Sequence, residues 1–146
     1  MIEPTVTAVC MSDKKGVSKT PVDEITVKIN HGVVGDAHAG EHIRQVSLLA
    51  DESIDRLRDK LPNITAGTFA ENILTIGICL YDLPVGTKLR IGNALMKVSK
   101  IGKECHEGAC EIKQQTGDCC MPREGVFAEV LEDGVIKPGD YISIEN

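Results

Sequence analysis

KLRIGNALMKVSKI, residues 88–101, decides the fold class. Gly92 and Asn93 both tolerate the positive φ of a two-residue hairpin turn, and they separate the runs Lys88–Ile91 and Ala94–Ile101. Working outward, ILTI at Ile73–Ile76 reads as a further strand. EITVKIN at 24–30 alternates Ile25, Val27 and Ile29 with polar neighbours, the pattern of a half-buried strand. PTVTAVCM at 4–11, RQVSLL at 44–49 and YISIE at 141–145 add three more strands.

Helical signals are few. Asp51 can cap a helix over residues 52–60, with Ile54, Leu57 and Leu61 on one apolar face and Pro62 as its stop. Residues 126–131 form a short helical pattern that Gly134 would end. Residues 12–19 read as a loop that Pro21 helps to close, and 31–40, 63–72 and 77–86 read as loops or turns. These few helices are too irregularly placed for repeating βαβ units. The expectation is a mainly β chain: one domain over residues 1–146, a small, mostly antiparallel β-barrel with one or two short helices.

A chain of 146 residues can bury a self-sufficient core without disulfides. Its aromatic side chains are only Phe69, Phe127, Tyr81 and Tyr141, too few for a base-stacking platform. The net charge of −6 argues against general binding to nucleic-acid phosphates. No apolar run approaches membrane-spanning length, and MIEPTVTAVC lacks the basic start and long apolar stretch of an export signal. The chain therefore reads as a soluble cytoplasmic protein with reduced thiols.

Four of its six cysteines, Cys105, Cys110, Cys119 and Cys120, fall with His106, Lys103 and Arg123 in the glycine-punctuated stretch 100–127. Neighbouring cations favour the thiolate, the form that attacks electrophiles and binds soft metals. Structural zinc on Cys105, His106, Cys110, Cys119 and Cys120 has enough donors but lacks paired knuckles. No iron–sulfur spacing is present. A Cys–His hydrolase would use Cys105 with His38 or His106, outside any recognised nucleophile context. Cys10 and Cys79 sit among apolar residues and read as small buried hydrophobes. Spacing alone leaves metal ligation and a single reactive thiolate both open.

Asp36, His38, Arg44 and Gln45 have two readings: Asp36 stabilises a turn, with His38 solvated and Arg44 in a surface ion pair, or the group, packed around glycines, forms a site for an anionic, heteroatom-rich ligand. Asn72 can likewise serve as a turn residue or read a ring edge.

GVVGDAHAG (32–40), RQVSLL (44–49), GTFAENILTIG (67–77), VGTKLRIGNALMKVSKIGKEC (85–105) and GDCCMPREGVFAEVLEDGVIKPGDYI (117–142) together resemble the MOSC domain, named for the C-terminal part of molybdenum-cofactor sulfurases. The resemblance implies a barrel-like β fold and a site for a molybdopterin-type molybdenum cofactor. It further implies one key cysteine, Cys105, that ligates molybdenum or carries sulfur. By the same resemblance Asn72 holds the pterin, Arg44 and Ser47 border its pocket, and Lys103 lies close to the thiol. Ala70 departs from the arginine of the amidoxime-reducing relatives. No aminotransferase-like desulfurase domain accompanies these residues, so a sulfur- or electron-donating partner protein is implied.

Overall fold

The computed structural model describes residues 3–14, 18–37, 39–55, 66–101 and 125–145. In chain order they form β1 (Thr5–Met11), β2 (Thr20–Val22), β3 (Ile25–Lys28), β4 (Gly32–Val33), β5 (Val46–Ala50), α1 (Asp51–Asp55), β6 (Ile73–Ile76), a 3-10 turn (Leu80–Asp82), β7 (Lys88–Ile91), β8 (Ala94–Ile101), β9 (Val126–Glu132), β10 (Gly134–Ile136) and β11 (Ile142–Glu145). Eight strands join in the order β11-β7-β8-β9-β5-β6-β1-β2, and β10-β3-β4 form a second, three-stranded sheet.

The β7–β8 hairpin turns at Gly92, φ +58°, with Ile91 opposite Ala94 and Lys88 opposite Lys97. Among the described residues only β5 and β6 pair in parallel, so the sheet is mixed. No closed barrel is found among the described residues. The sheet does curl enough for β1 to meet the β11 end. Thr5 bridges Tyr141, and the N–H groups of Val6 and Ile142 donate to the carbonyls of Asp140 and Pro4, both at 2.9 Å.

The main core collects Val9, Val27, Val46, Leu48, Ile73, Leu89, Ile91, Met96, Val98, Val126, Ala128 and Ile136, all fully buried. A smaller cluster of Leu49, Ile54, Phe69 and Leu74 covers the other face of β5, which explains why all five residues of that strand are buried. Strand alternation sends Leu48 to one cluster and Leu49 to the other.

Three local expectations are corrected. Residues 126–132 are a strand, not a helix: pairing with both β8 and β5 overrides a weak helical spacing. Gly134 opens β10 rather than ending a helix, because the backbones pack closely there. A Cβ on it would lie 2.6 Å from Asn93 Oδ1 and 2.7 Å from the Ala94 nitrogen. Gly32–Val33 is a short strand where a loop was expected, and Thr20–Val22, just past the expected loop at 12–19, is a short strand as well. β2 lies at the sheet edge, which is where a strand tolerates Pro21. Asp51 lies inside α1 rather than ahead of it, and the rest of the expected helix, with Leu57 and Leu61, falls outside the described residues.

Candidate functional site

Strand register brings distant parts of the sequence into one row. Lys100 of β8 pairs with Phe127 of β9, and Phe127 pairs with Ser47 of β5. The row continues to Asn72, whose N–H donates to the Ser47 carbonyl at 2.9 Å, and to Cys10, whose N–H donates to the Asn72 carbonyl at 2.7 Å. Asn72 is wholly buried. Its Oδ1 accepts the Ser47 N–H at 3.0 Å and the Ser47 hydroxyl at 3.1 Å, and its Nδ2 donates to the Cys10 carbonyl at 3.1 Å. The amide thus closes the gap between β1, β5 and β6 just where the chain turns into β6.

The turn ahead of Asn72 is held by a buried carboxylate. Glu71 accepts the Gly67 N–H at 2.8 Å and the Phe69 N–H at 3.2 Å. Ala70, a non-glycine residue at φ +65°, donates its N–H to the Gly67 carbonyl and accepts the Ser47 hydroxyl at 3.2 Å. Such left-handed strain persists only where the surroundings over-determine it. Burial raises the Glu71 carboxyl above the ordinary value of 4.5, opposed by the loop amides and then by the charge of Lys19. The folded chain therefore holds this proton more tightly than the unfolded chain does. The resulting stability is fully present below about pH 4.5 and is lost as pH rises through the folded-state value. Glu71→Gln is expected to flatten that fall. Urea melts between pH 4 and 8 check this, and an unchanged slope would exclude Glu71 as its source.

Arg44 lies just before β5 with its guanidinium carbon 5.8 Å from the centre of the Phe127 ring, a cation–π contact. Its N–H donates to His42 Nδ1 at 3.0 Å. Asp36 does more than stabilise its own turn. Its carboxylate lies 2.8 Å from the Lys19 ammonium, and both side chains are fully buried. It also accepts the Ser12 N–H at 3.0 Å. Cys10 is buried as expected, and its thiol is pushed up to about 12, first by burial and then by the charge of Glu71, with Lys19 opposing. It stays protonated and unreactive near neutrality. Cys79 is exposed, contrary to expectation, and donates to Asp82 Oδ2 at 3.2 Å.

Arg44, Ser47 and Asn72 are thus brought together, with Asp36 held nearby through Lys19. Cys105, His106, Cys110, Cys119, Cys120, Lys103, Arg123 and His38 lie outside the described residues. The stretch that carries the four cysteines joins Ile101 to Val126, and those two residues pair with each other one step from the Lys100–Phe127–Ser47 row. Among the described residues no group of three or more His, Cys, Asp or Glu could hold a metal ion. A separate cleft of about 320 Å³, lined by Ala50, Glu52, Ser53, Gly77, Ile78, Cys79 and Tyr81, contains none of the sequence-predicted residues. No described helix is long and apolar enough to cross a membrane.

Sequence reasoning missed Lys19 and Glu71. Gln45 is wholly buried, accepting the Val130 N–H at 3.0 Å. Lys19 and Glu71 each sit in a polar stretch that reads as loop, and only the burial of Glu71 and the contacts of Lys19 with Asp36 and Gly67 reveal their roles.

No curated protein sequence matches the chain significantly. Solved structures do. The YuaD protein from Bacillus subtilis is 18% identical with a TM-score of 0.79, over 97% of this chain and 94% of that one. YiiM from Geobacillus stearothermophilus is 21% identical with a TM-score of 0.74, over 98% and 75%. YiiM from Escherichia coli is 19% identical with a TM-score of 0.68, over 100% and 71%. These likenesses show the fold. The MOSC domain family model matches residues 35–143, which include every described element from β5 to β10 and all of the cysteine-bearing stretch. The chain belongs to the MOSC domain family.

Proposed function

We propose that the chain binds a molybdopterin-type molybdenum cofactor beside the Lys100–Phe127–Ser47–Asn72 row, with Cys105 as the thiolate that ligates molybdenum or carries sulfur. The family is associated in general with molybdenum-cofactor binding and sulfurase chemistry. One observation carries the reading for this chain. The register that joins Ser47 to Asn72 also brings that pair to Phe127 and Lys100, next to both attachment points of the cysteine-bearing stretch.

The donor set fits such a group in a particular way. Arg44 offers a half-buried guanidinium, suited to bidentate contact with a phosphate. Ser47 and Asn72 are committed to one another and to the backbone, so they act by holding residues 70–72 in a strained turn at the edge of the site. Asp36 ties residues 36 and 37 to the end of β1. Lys103 adds positive charge close to Cys105 in sequence, and a thiolate suits a soft metal or sulfane sulfur. When bound, the cofactor supplies a redox-active metal. The chain supplies a soft ligand, an anion contact and a rigid loop. The biological role is cofactor handling, sulfur transfer or reduction, with a sulfur- or electron-donating partner protein.

The test is elemental and pterin analysis of protein purified without oxygen from a host that makes the cofactor. Wild type is expected to carry molybdenum and pterin together. Cys105→Ser is expected to lose at least nine-tenths of both, with no change in melting temperature. Unchanged occupancy in Cys105→Ser would overturn the role of this thiol. One zinc per chain without pterin would favour a structural zinc site in the cysteine cluster.

A further inference from the structure

We propose that Lys19 is a positioning residue for this site, a single buried residue that fixes the separation of two loops bordering it. The inference rests on the cofactor reading above and goes beyond the family match, because Lys19 lies outside residues 35–143. It arises from the fold. β5 and β6 are parallel, so the segments that lead into them arrive at the same end of the sheet. Those segments are 33–45, with Asp36 and Arg44, and 66–72, with Glu71 and Asn72. Adjacent loops of this kind share no ladder of their own, so something else must hold them in place.

Lys19 contacts both. Its N–H donates to the Gly67 carbonyl at 2.8 Å, while the neighbouring Ser18 hydroxyl donates to the Thr68 carbonyl at 3.0 Å. The Lys19 main chain thus holds the 66–72 turn. Its ammonium reaches the other way to both Asp36 oxygens, at 2.8 and 3.1 Å, with both side chains fully buried. Asp36 passes the constraint on. It accepts the Ser12 N–H at the end of β1, and the Ala37 N–H donates to the Ser12 carbonyl at 2.7 Å. A buried ion pair is a poor device for stability alone, since an apolar pair of similar volume often serves as well. Its directional contacts suit it instead to fixing geometry between elements that do not otherwise pair.

The test separates geometry from folding. The double variant Lys19→Met/Asp36→Leu replaces both charges with apolar side chains, leaving no buried charge without its partner. It is expected to melt cooperatively within a few degrees of wild type. Amide hydrogen exchange at residues 35–37 and 67–70 is expected to accelerate at least tenfold, and pterin retained after anaerobic purification to fall at least tenfold. Unchanged exchange at both loops would overturn the proposal, as would faster exchange with full pterin retention. Where that double variant does not fold, Lys19→Met/Asp36→Asn, which also leaves no buried charge unpaired and keeps an acceptor for the Ser12 N–H, carries the same two readouts. Failure of the cofactor reading itself looks different. Wild type then holds no pterin, while the exchange measurement still decides whether Lys19 fixes the two loops.

Discussion

Gly67→Ala is expected to lower the melting temperature by roughly 10–15 °C, corresponding to about 3–5 kcal/mol for a domain of this size. Two costs add at this position. Its φ is +89°, a conformation that L side chains rarely adopt. A Cβ would also lie 2.1 Å from the Lys19 carbonyl oxygen and 2.7 Å from its carbon, both backbone atoms that no side-chain rotation can move aside. Gly86 and Gly139 separate the two costs. Their φ values are +99° and +95°, yet a Cβ on either meets nothing within 4 Å. Alanine at those sites should cost only the conformational strain, about 1 kcal/mol. Thermal melts of the three variants decide the matter. Equal losses at all three would mean that the Lys19 backbone gives way freely, and so does not hold the 66–72 turn.

Where local chemistry alone sets a structure, the sequence was a sound guide. The hairpin at 88–101 forms with the expected bounds, because Gly92-Asn93 leaves the chain few other turns to make. The strand at Ile73–Ile76 is also found as expected. Residues 126–131 mislead for a physical reason. Phe127, Val130 and Leu131 sit at helical spacing, while Val126, Ala128 and Val130 alternate. Only the two flanking strands, themselves distant in sequence, favour the alternation. β2 and β4, at three and two residues, are too short to show any period.

The site divides along the same line. Arg44, Ser47 and Asn72 stand in stretches that resemble the family, and they do come together. What those side chains touch was not legible. Asn72 read as a turn residue or as an amide for a ring edge, and the sequence did not show that two strand backbones engage that amide. Asp36 read as a turn-stabilising residue or a ligand contact, and its carboxylate pairs with a lysine from what read as a polar loop. Pairing between residues that are separated in sequence leaves no local periodicity behind. Buried polar contacts of this kind become visible only when the chain is folded.

Asn72→Ala is expected to cost about 3–5 kcal/mol, as large an effect as any single substitution here. The change removes three hydrogen bonds and leaves the Ser47 N–H and the Cys10 carbonyl without partners in a site that excludes water. Each orphaned group alone carries about 1–3 kcal/mol of desolvation. Asn72→Asp tests the same arrangement through pH. Its Oδ1 can still accept from Ser47, but an ionised second oxygen would face the Cys10 carbonyl. Protonation turns that oxygen into a donor. Burial and repulsion should raise the pKa of this carboxyl in the folded chain, so stability is lost as pH rises through that value and recovers as pH falls. Asn72→Ala has no such dependence of its own. Ser47→Ala completes the comparison, because Ser47 Oγ accepts the Asn72 N–H and shares its one proton between Asn72 Oδ1 and the Ala70 carbonyl. The double variant should then cost at least about 1 kcal/mol less than the sum of the single changes, since each single change already breaks the shared contact. Strict additivity in urea melts would mean that Asn72 and Ser47 act independently, and the strained turn at Ala70 would then need another support.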